Sequence, residues 1–226
     1  MKIRVYDTYE QMSRAAADLI TAQLLIKPNS RLGLTAGSTP IGMFAELVKL
    51  YREGSVSFNE AWLYNLEEKS GLPRMDEQTC RSYFHRHLLD HVDGRDDHLI
   101  LPDSQAIDLK AESARYEEIL TSLPNGRLDM QVLGIGSDAH IGMNRPNQTL
   151  EPRCHPESRE SGMYIAMGVG TILQSERIVL LANGESKAQA VADMCGSKIT
   201  TMVPASLLQL HADVTILLDK PAASKL

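Results

Sequence analysis

Cysteine is scarce in this chain. Cys80, Cys154 and Cys195 are the only three, they lie far apart, and no CxxC or Cys/His spacing joins them. An odd, dispersed set excludes a disulfide framework and a structural zinc, and it fits a reducing cytoplasm. His85, His87, His91, His98, His155 and His211 form no HExxH or comparable ligand set and read as surface or core residues. Long apolar runs are missing too. No segment approaches the roughly 20 apolar residues of a membrane span, and the N-terminal MKIRVYDTYEQMSRAAADLI holds no apolar run of signal-peptide length, so the chain reads as soluble and not exported. Positive charge is in deficit, with 23 Lys+Arg against 29 Asp+Glu and a formal net charge of −6. No global field exists to hold nucleic acid or an anionic membrane, so a small phosphorylated ligand needs local donors. Repeats, low-complexity tracts and composition breaks are absent, which leaves residues 1–226 as a single domain.

What is present is enough for a sizeable core, since 43% of the residues are hydrophobic. Lys2 to Tyr6 reads as a short edge strand, and Tyr9 to Ile26 as a helix with Met12, Ala15, Ala16, Leu19, Ile20 and Leu24 at helical spacing. Arg31 to Leu34 is an apolar strand, and from Ile41 onward Met43, Phe44, Leu47, Val48 and Tyr51 mark another amphipathic helix. Further strands are expected at Ala61 to Leu66, His98 to Leu101, Met130 to Gly134, Arg177 to Ala182 and Val214 to Leu218. Helices are expected at Gln78 to Leu89, Leu109 to Leu123, Lys187 to Met194 and Ala205 to Leu208. Strands alternating with helices predict an α/β fold: a doubly wound, mostly parallel, Rossmann-like sheet with helices on both faces. Asn147 to Gly162 is the least regular stretch and is expected to be a mobile flap. In such sheets ligands sit beyond the carboxyl ends of the strands, so the loops after Leu34, Leu66 and Leu133 are the ones to inspect.

The first of these, Thr35-Ala36-Gly37-Ser38-Thr39-Pro40, combines small residues that let backbone N–H groups approach an anion with hydroxyls that add donors. It leads into a helix whose dipole favours a phosphate, and Pro40 suits its first turn. It matches neither GxxxxGK[ST] nor GxGxxG, and a plain capped connection is the alternative reading. The loop Gly134 to Asn144 places Asp138 and His140 two positions apart among small residues such as Gly136. An acid beside an imidazole can orient the ring as a proton shuttle, and a capping Asp with a surface His is the alternative. Glu67 and Glu68 end a strand before a Gly/Pro turn. If Glu67 faces the crevice it can abstract a proton next to a carbonyl, with Glu68 pointing elsewhere; two solvated turn residues are the alternative. Lys187 follows Gly184-Glu185-Ser186 near a helix start, where a cation does not serve the helix dipole and a phosphate partner explains it; an exposed lysine is the alternative.

Taken in order, these segments are similar to those of glucosamine-6-phosphate deaminases and galactosamine-6-phosphate isomerases, in the superfamily that includes 6-phosphogluconolactonases. Leu34 to Pro40 resembles the family's phosphate loop, Asn65 to Pro73 its proton-transfer loop, and Gly134 to Pro146 its GxGxDGHIxxNEP loop. Met167 to Leu173, Gly184 to Lys187 and Val203 to Ser206 with Leu210-His211 also match, so the resemblance spans nearly the whole chain. It implies a cytoplasmic enzyme, monomeric or a small homo-oligomer, that takes an amino-hexose 6-phosphate and uses no metal or organic cofactor. The implied reaction is ring opening, proton transfer between C2 and C1, and release of ammonia. By position, Glu67 stands for the acid that moves the proton, and His140 with Asp138 for the ring-opening pair. Ala36, Gly37, Ser38, Thr39, Gly136, Arg145 and Lys187 stand on the substrate side, with Gly37, Ser38, Thr39 and Lys187 on the phosphate.

The chain departs from the family pattern at two positions. Glu67 replaces an aspartate, and a misplacement of about 1 Å costs on the order of 100-fold in rate. Arg145 replaces the Glu of Asn-Glu-Pro and puts a fixed cation where an acid assists the histidine. The segment between Pro146 and Met167 is also short for the family's lid, and its phosphate-binding arginine has Arg153, Arg159 or Arg145 as stand-ins. A 6-phosphogluconolactonase-type hydrolase and a sugar-phosphate-binding protein with impaired catalysis are the alternative functions.

Overall fold

The runs Ile178–Ala182 and Val214–Asp219 are apolar at nearly every position, a pattern that suits strands covered on both faces. In the computed structural model, which describes residues 1–226, they are the inner strands β9 and β10 of a seven-stranded sheet. The others are β1 (Lys2–Tyr6), β2 (Arg31–Leu34), β3 (Trp62–Asn65), β5 (Leu99–Ile100) and β6 (Met130–Gly134). The order is β1-β10-β9-β6-β2-β3-β5, and every neighbouring pair is parallel. The period of two divides each inner strand between two cores. Val179, Leu181 and Leu217 face one cluster with Met12, Ile20, Phe44, Leu47 and Phe84, while Ile178, Leu180, Ile216 and Leu218 face the other with Tyr116, Val191 and Leu208.

The helices are α1 (Tyr9–Ile26), α2 (Ile41–Arg52), α3 (Cys80–His87), α4 (Leu109–Thr121), α5 (Val169–Leu173) and α6 (Ala188–Cys195). Side chains start three of them. Thr8 accepts from the Gln11 amide at 3.3 Å, Thr79 from Ser82 at 3.2 Å, and Asp108 from Lys110 and Ala111 at 3.0 Å. No helix is long and apolar enough to cross a membrane.

The doubly wound α/β expectation is met, and the differences are local. Ala61 to Leu66 does not run on as one strand: β3 ends at Asn65, and after the buried Leu66 the chain enters a second sheet as β4 (Glu67–Lys69). The expected flap at Asn147 to Gly162 is in part ordered structure, because β7 (His155–Arg159) and β8 (Gly162–Ala166) form a hairpin that completes an antiparallel sheet in the order β4-β8-β7. Ala205 to Leu208 lies in a 3-10 helix, Pro204–Leu210, and Gln78 to Leu89 shortens to α3 with a 3-10 turn at Leu89–His91.

α1 packs on α2 where Gly42 leaves room. A Cβ there would lie 2.5 Å from Ser13 Oγ and 2.9 Å from the Tyr9 ring. The Tyr9 hydroxyl accepts from the Gly42 amide at 2.8 Å and donates to the Thr39 carbonyl at 2.8 Å, which ties this contact to the loop before α2. Gly42→Ala is therefore expected to destabilise the fold by about 1–3 kcal/mol through overpacking, read as a lower urea midpoint at unchanged m value.

Candidate active site

β2 and β6 lie side by side in the middle of the sheet, and their successors β3 and β9 lie on opposite flanks. The loops leaving the carboxyl ends of β2 and β6 therefore diverge and open a crevice. The cleft there has a volume of about 970 Å³, and its walls include Ala36 to Pro40, Glu67, Gly134 to Ser137, His140, Arg145, Ser158 to Ser161 and Lys187. Nine of the ten sequence candidates thus meet in one place; Asp138 stands behind His140 and does not line the cleft.

At the first wall the carbonyls are engaged by the protein: Tyr83 donates to Gly37 O at 2.7 Å, and Tyr9 to Thr39 O. The Thr39 hydroxyl donates to Asn183 Oδ1 at 2.7 Å, joining this loop to the one after β9. The amides of Gly37, Ser38 and Thr39 donate to no protein group, and α2 starts after Pro40 without a side-chain cap. Free amides at a helix start beside small side chains form an anion site. Lys187 and Arg145 line the same cleft and make no ion pair with any carboxylate. Arg159 joins them from β7. Arg153 does not: it pairs with Glu117 of α4 at 2.8 Å and lines no part of the cleft.

Glu67 is pinned from both sides. The Asn65 side chain donates to its carbonyl, and the ladder of the small sheet sets it opposite Ala166. Its side chain is buried and Oε2 has no hydrogen-bond partner. Burial, then the neighbouring Glu68, pushes the carboxyl up from 4.5 to about 7, with Arg159 opposing. Glu68 points away, accepting the amides of Lys69 and Cys80 at 2.8 Å and Arg81 at 3.2 Å, so it serves the start of α3.

His140 Nδ1 lies 2.5 Å from Asp138 Oδ1. The carboxylate can only accept, so Nδ1 carries the proton and Nε2 keeps its lone pair. Burial holds the imidazole below its usual pKa; Asp138 opposes this, while Arg145 and Arg159 add to it. Burial raises the Asp138 carboxyl, but the His140 hydrogen bond and charge outweigh it and leave it below the ordinary value. The pair fits only because position 136 has no side chain: a Cβ on Gly136 would stand 2.1 Å from His140 Nδ1. Ala139, between the two partners, sits at φ 63°, a left-handed backbone that costs an L-residue roughly 1–2 kcal/mol. The Ala139 carbonyl accepts from the Ala205 amide at 3.0 Å, and the buried Asn144 donates to Ile141 O and Met167 O, which over-determines the turn.

Sequence reasoning missed Ser158, Glu160 and Ser161 at the hairpin tip. The signal was the Ser161-Gly162 turn followed by the β-prone Met163 to Ile165. No group of three or more His, Cys, Asp or Glu side chains is placed to hold a metal ion.

A parallel sheet that brings an anion loop, unpaired cations, a His–Asp pair and a buried carboxyl into one crevice defines a sugar-phosphate enzyme class. The chain belongs to the glucosamine-6-phosphate isomerase/6-phosphogluconolactonase family, whose model matches residues 7–217. It is 40% identical to the glucosamine-6-phosphate deaminase of Clostridioides difficile, over 100% of this chain and 97% of that protein. It is 38% identical to that of Halothermothrix orenii, over the full length of both. The solved structure of a monomeric glucosamine-6-phosphate deaminase superposes with a TM-score of 0.95 at 36% identity over the whole of both chains. A Trypanosoma cruzi 6-phosphogluconolactonase, at TM-score 0.79 and 19% identity, shares the fold.

Because the folded protein holds Glu67 protonated up to about pH 7 while an unfolded carboxyl ionises near 4.5, the native state binds the extra proton between these values. Stability from this group is full below pH 4.5 and is lost as pH rises through about 7. Glu67→Gln is expected to raise the melting temperature at pH 8 and to change it little at pH 5. Equal shifts at both pH values would refute a buried, proton-retaining carboxyl.

Proposed function

We propose that the chain is a glucosamine-6-phosphate deaminase, an enzyme that converts its amino-sugar phosphate to fructose 6-phosphate and ammonia. The single observation that carries this reading is one cleft holding an anion site, a His–Asp pair and a proton-retaining carboxyl together. The phosphate is taken by the amides of Gly37, Ser38 and Thr39, with Lys187 and Arg159 as counter-charges. This leaves the sugar between His140 and Glu67. Nε2 of His140 takes the proton from the C1 hydroxyl and returns it to the ring oxygen, which opens the ring to the aldehyde. The Glu67 carboxylate removes the proton from C2 while the substrate's own C2 ammonium passes a proton to O1, forming an enolamine, and protonated Glu67 then delivers its proton to C1. The resulting imine at C2 adds water and loses ammonia, leaving the ketone. Every group comes from one chain, so a monomer is sufficient, and the three free cysteines suit a reducing cytoplasm.

Arg145 gives the proposed reaction a particular bias. A cation near a partly buried imidazole disfavours its protonated form, so His140 rests as the neutral base but takes up a proton less readily and gives it back more readily. The same neutral base is what hydrolysis of a lactone phosphate asks for, which keeps 6-phosphogluconolactone as a second substrate to test.

The deciding assay is ammonia release from glucosamine 6-phosphate, with galactosamine 6-phosphate and 6-phosphogluconolactone run beside it. Glucosamine 6-phosphate should be turned over, and Glu67→Gln should lower kcat by at least about 100-fold. Lactone hydrolysis without ammonia release would move the assignment to the hydrolase, and saturable binding without turnover would reduce it to a sugar-phosphate binder. Since Glu67 must be ionised to act, kcat/KM is expected to fall about ten-fold per pH unit below about 7.

Two substitutions test the electrostatics. Lys187→Ala is expected to weaken sugar-phosphate binding by calorimetry with the melting temperature unchanged. Arg145→Glu should raise the His140 pKa in an NMR titration and increase turnover. A raised pKa with an unchanged or lower rate would give Arg145 a role of its own.

A further inference from the structure

Arg159 reaches the cleft with only 12% of its side chain exposed. Burial works against its charge, and the largest group offsetting that is Glu157. Glu157 Oε1 lies 3.2 Å from Arg159 Nη1, and its Oε2 lies 3.6 Å from His155 Nε2. His155, Glu157 and Arg159 alternate along β7 and so share one face of the strand. The Arg159 Nη2 group donates to the Met143 carbonyl, in the loop that carries His140. Nε is buried and has no partner. Glu157 itself does not line the substrate cleft; it lines a neighbouring one of about 680 Å³, and Arg159 lines both.

We infer that Glu157 is a positioning residue, which holds the Arg159 guanidinium at the phosphate end of the substrate cleft without touching substrate. The inference rests on the reading of Arg159 as a phosphate ligand. An arginine side chain is long and flexible, and a guanidinium drawn from water without a counter-ion swings to solvent or to another carboxylate. The other carboxylates within its electrostatic reach are Asp138, which His140 already engages, and Glu67, the proposed base, whose proton affinity Arg159 lowers. Glu157 therefore does two things: it keeps the cation where a phosphoryl group meets it, and it keeps that cation from collapsing onto Glu67. Its partner His155 is held by the Arg153 carbonyl at 2.9 Å from Nδ1, so the carboxylate is itself braced.

The test is steady-state kinetics with glucosamine 6-phosphate in Glu157→Gln, Glu157→Asp, Arg159→Ala and the Glu157→Gln/Arg159→Ala double variant. Each is first checked for an unchanged circular-dichroism spectrum and cooperative melting. Glu157→Gln keeps the shape and removes the charge, and it is expected to raise KM roughly ten-fold with kcat within about two-fold. Glu157→Asp should recover part of the loss, and in the double variant Glu157→Gln should add nothing to the effect of Arg159→Ala. An unchanged KM in Glu157→Gln, or additive effects in the double variant, overturns the coupling while leaving the phosphate reading in place. An unchanged KM in Arg159→Ala overturns that reading and the coupling with it.

Discussion

A carboxyl group stays out of water only if the backbone around it leaves no freedom to turn it outward, and Glu67 depends on that constraint. The chain reaches it at the end of β3, where a parallel strand buried on both faces has no place for an acid. Leu66 breaks the strand, the chain changes sheets, and the ladder to β8 takes over within two residues. Asn65, fully buried, bridges the break through its side chain, and Tyr116 holds the Asn65 carbonyl at 2.7 Å from the far core. Period-two alternation then sends Glu67 into the cleft and Glu68 to the start of α3. Two adjacent carboxylates thus have opposite environments. Glu68 accepts three backbone amides, whereas Glu67 leaves one oxygen without a donor and holds its proton up to about pH 7.

The same logic governs His140. Its loop is bent by Ala139 in a left-handed conformation, closed by the Gly136 amide on the His140 carbonyl at 2.9 Å, and anchored by Asn144 to the strand side of Met167. Strain in one residue is tolerated because several neighbours each remove an alternative. The outcome is a ring whose Nδ1 is committed to Asp138 and whose remaining nitrogen faces a cleft of fixed positive charge. The imidazole is pushed toward neutrality by burial and by the guanidinium groups of Arg145 and Arg159 at once. The site therefore raises its acid to about 7 and lowers its imidazole, moving both groups toward their neutral forms.

Most of this was legible in the sequence where physics is local. The inner strands announce themselves as apolar runs, the helices as 3.6-residue patterns with Thr and Asp caps, and the working loops as unusual small-residue segments after strands. The small sheet was not legible, for an identifiable reason. His155–Arg159 carries His155, Glu157 and Arg159 on one face and only Pro156 and Ser158 on the other, so no apolar alternation marks it as a strand. Its partner Gly162–Ala166 carries the β-forming residues, but the pairing that orders both runs to Glu67 across almost a hundred residues. Non-local pairing of that kind leaves no period in either segment. The choice between Arg153 and Arg159 was hidden too, since it rests on non-local contacts, Arg153 with Glu117 of α4 and Arg159 with the Met143 carbonyl.

That register also explains how a short connection can do the work of a long one. Between Pro146 and Met167 the chain has few residues with which to cover the crevice, and it spends them on a two-stranded hairpin whose strand β8 is already committed to β4. The hairpin tip brings Ser158 to Ser161 over the cleft, and Arg159 is fixed within it by contacts at both ends of its guanidinium, to Glu157 on its own strand and to Met143 in the histidine loop. The Arg159 guanidinium, the loop that orients the imidazole and the strand that buries the carboxyl are thus parts of one hydrogen-bonded unit. A change in the β4 to β8 ladder displaces Glu67 and Arg159 together, so backbone pairing sets the separation of the two positions and the contacts of the guanidinium with Glu157 and Met143 fix where its charge ends up.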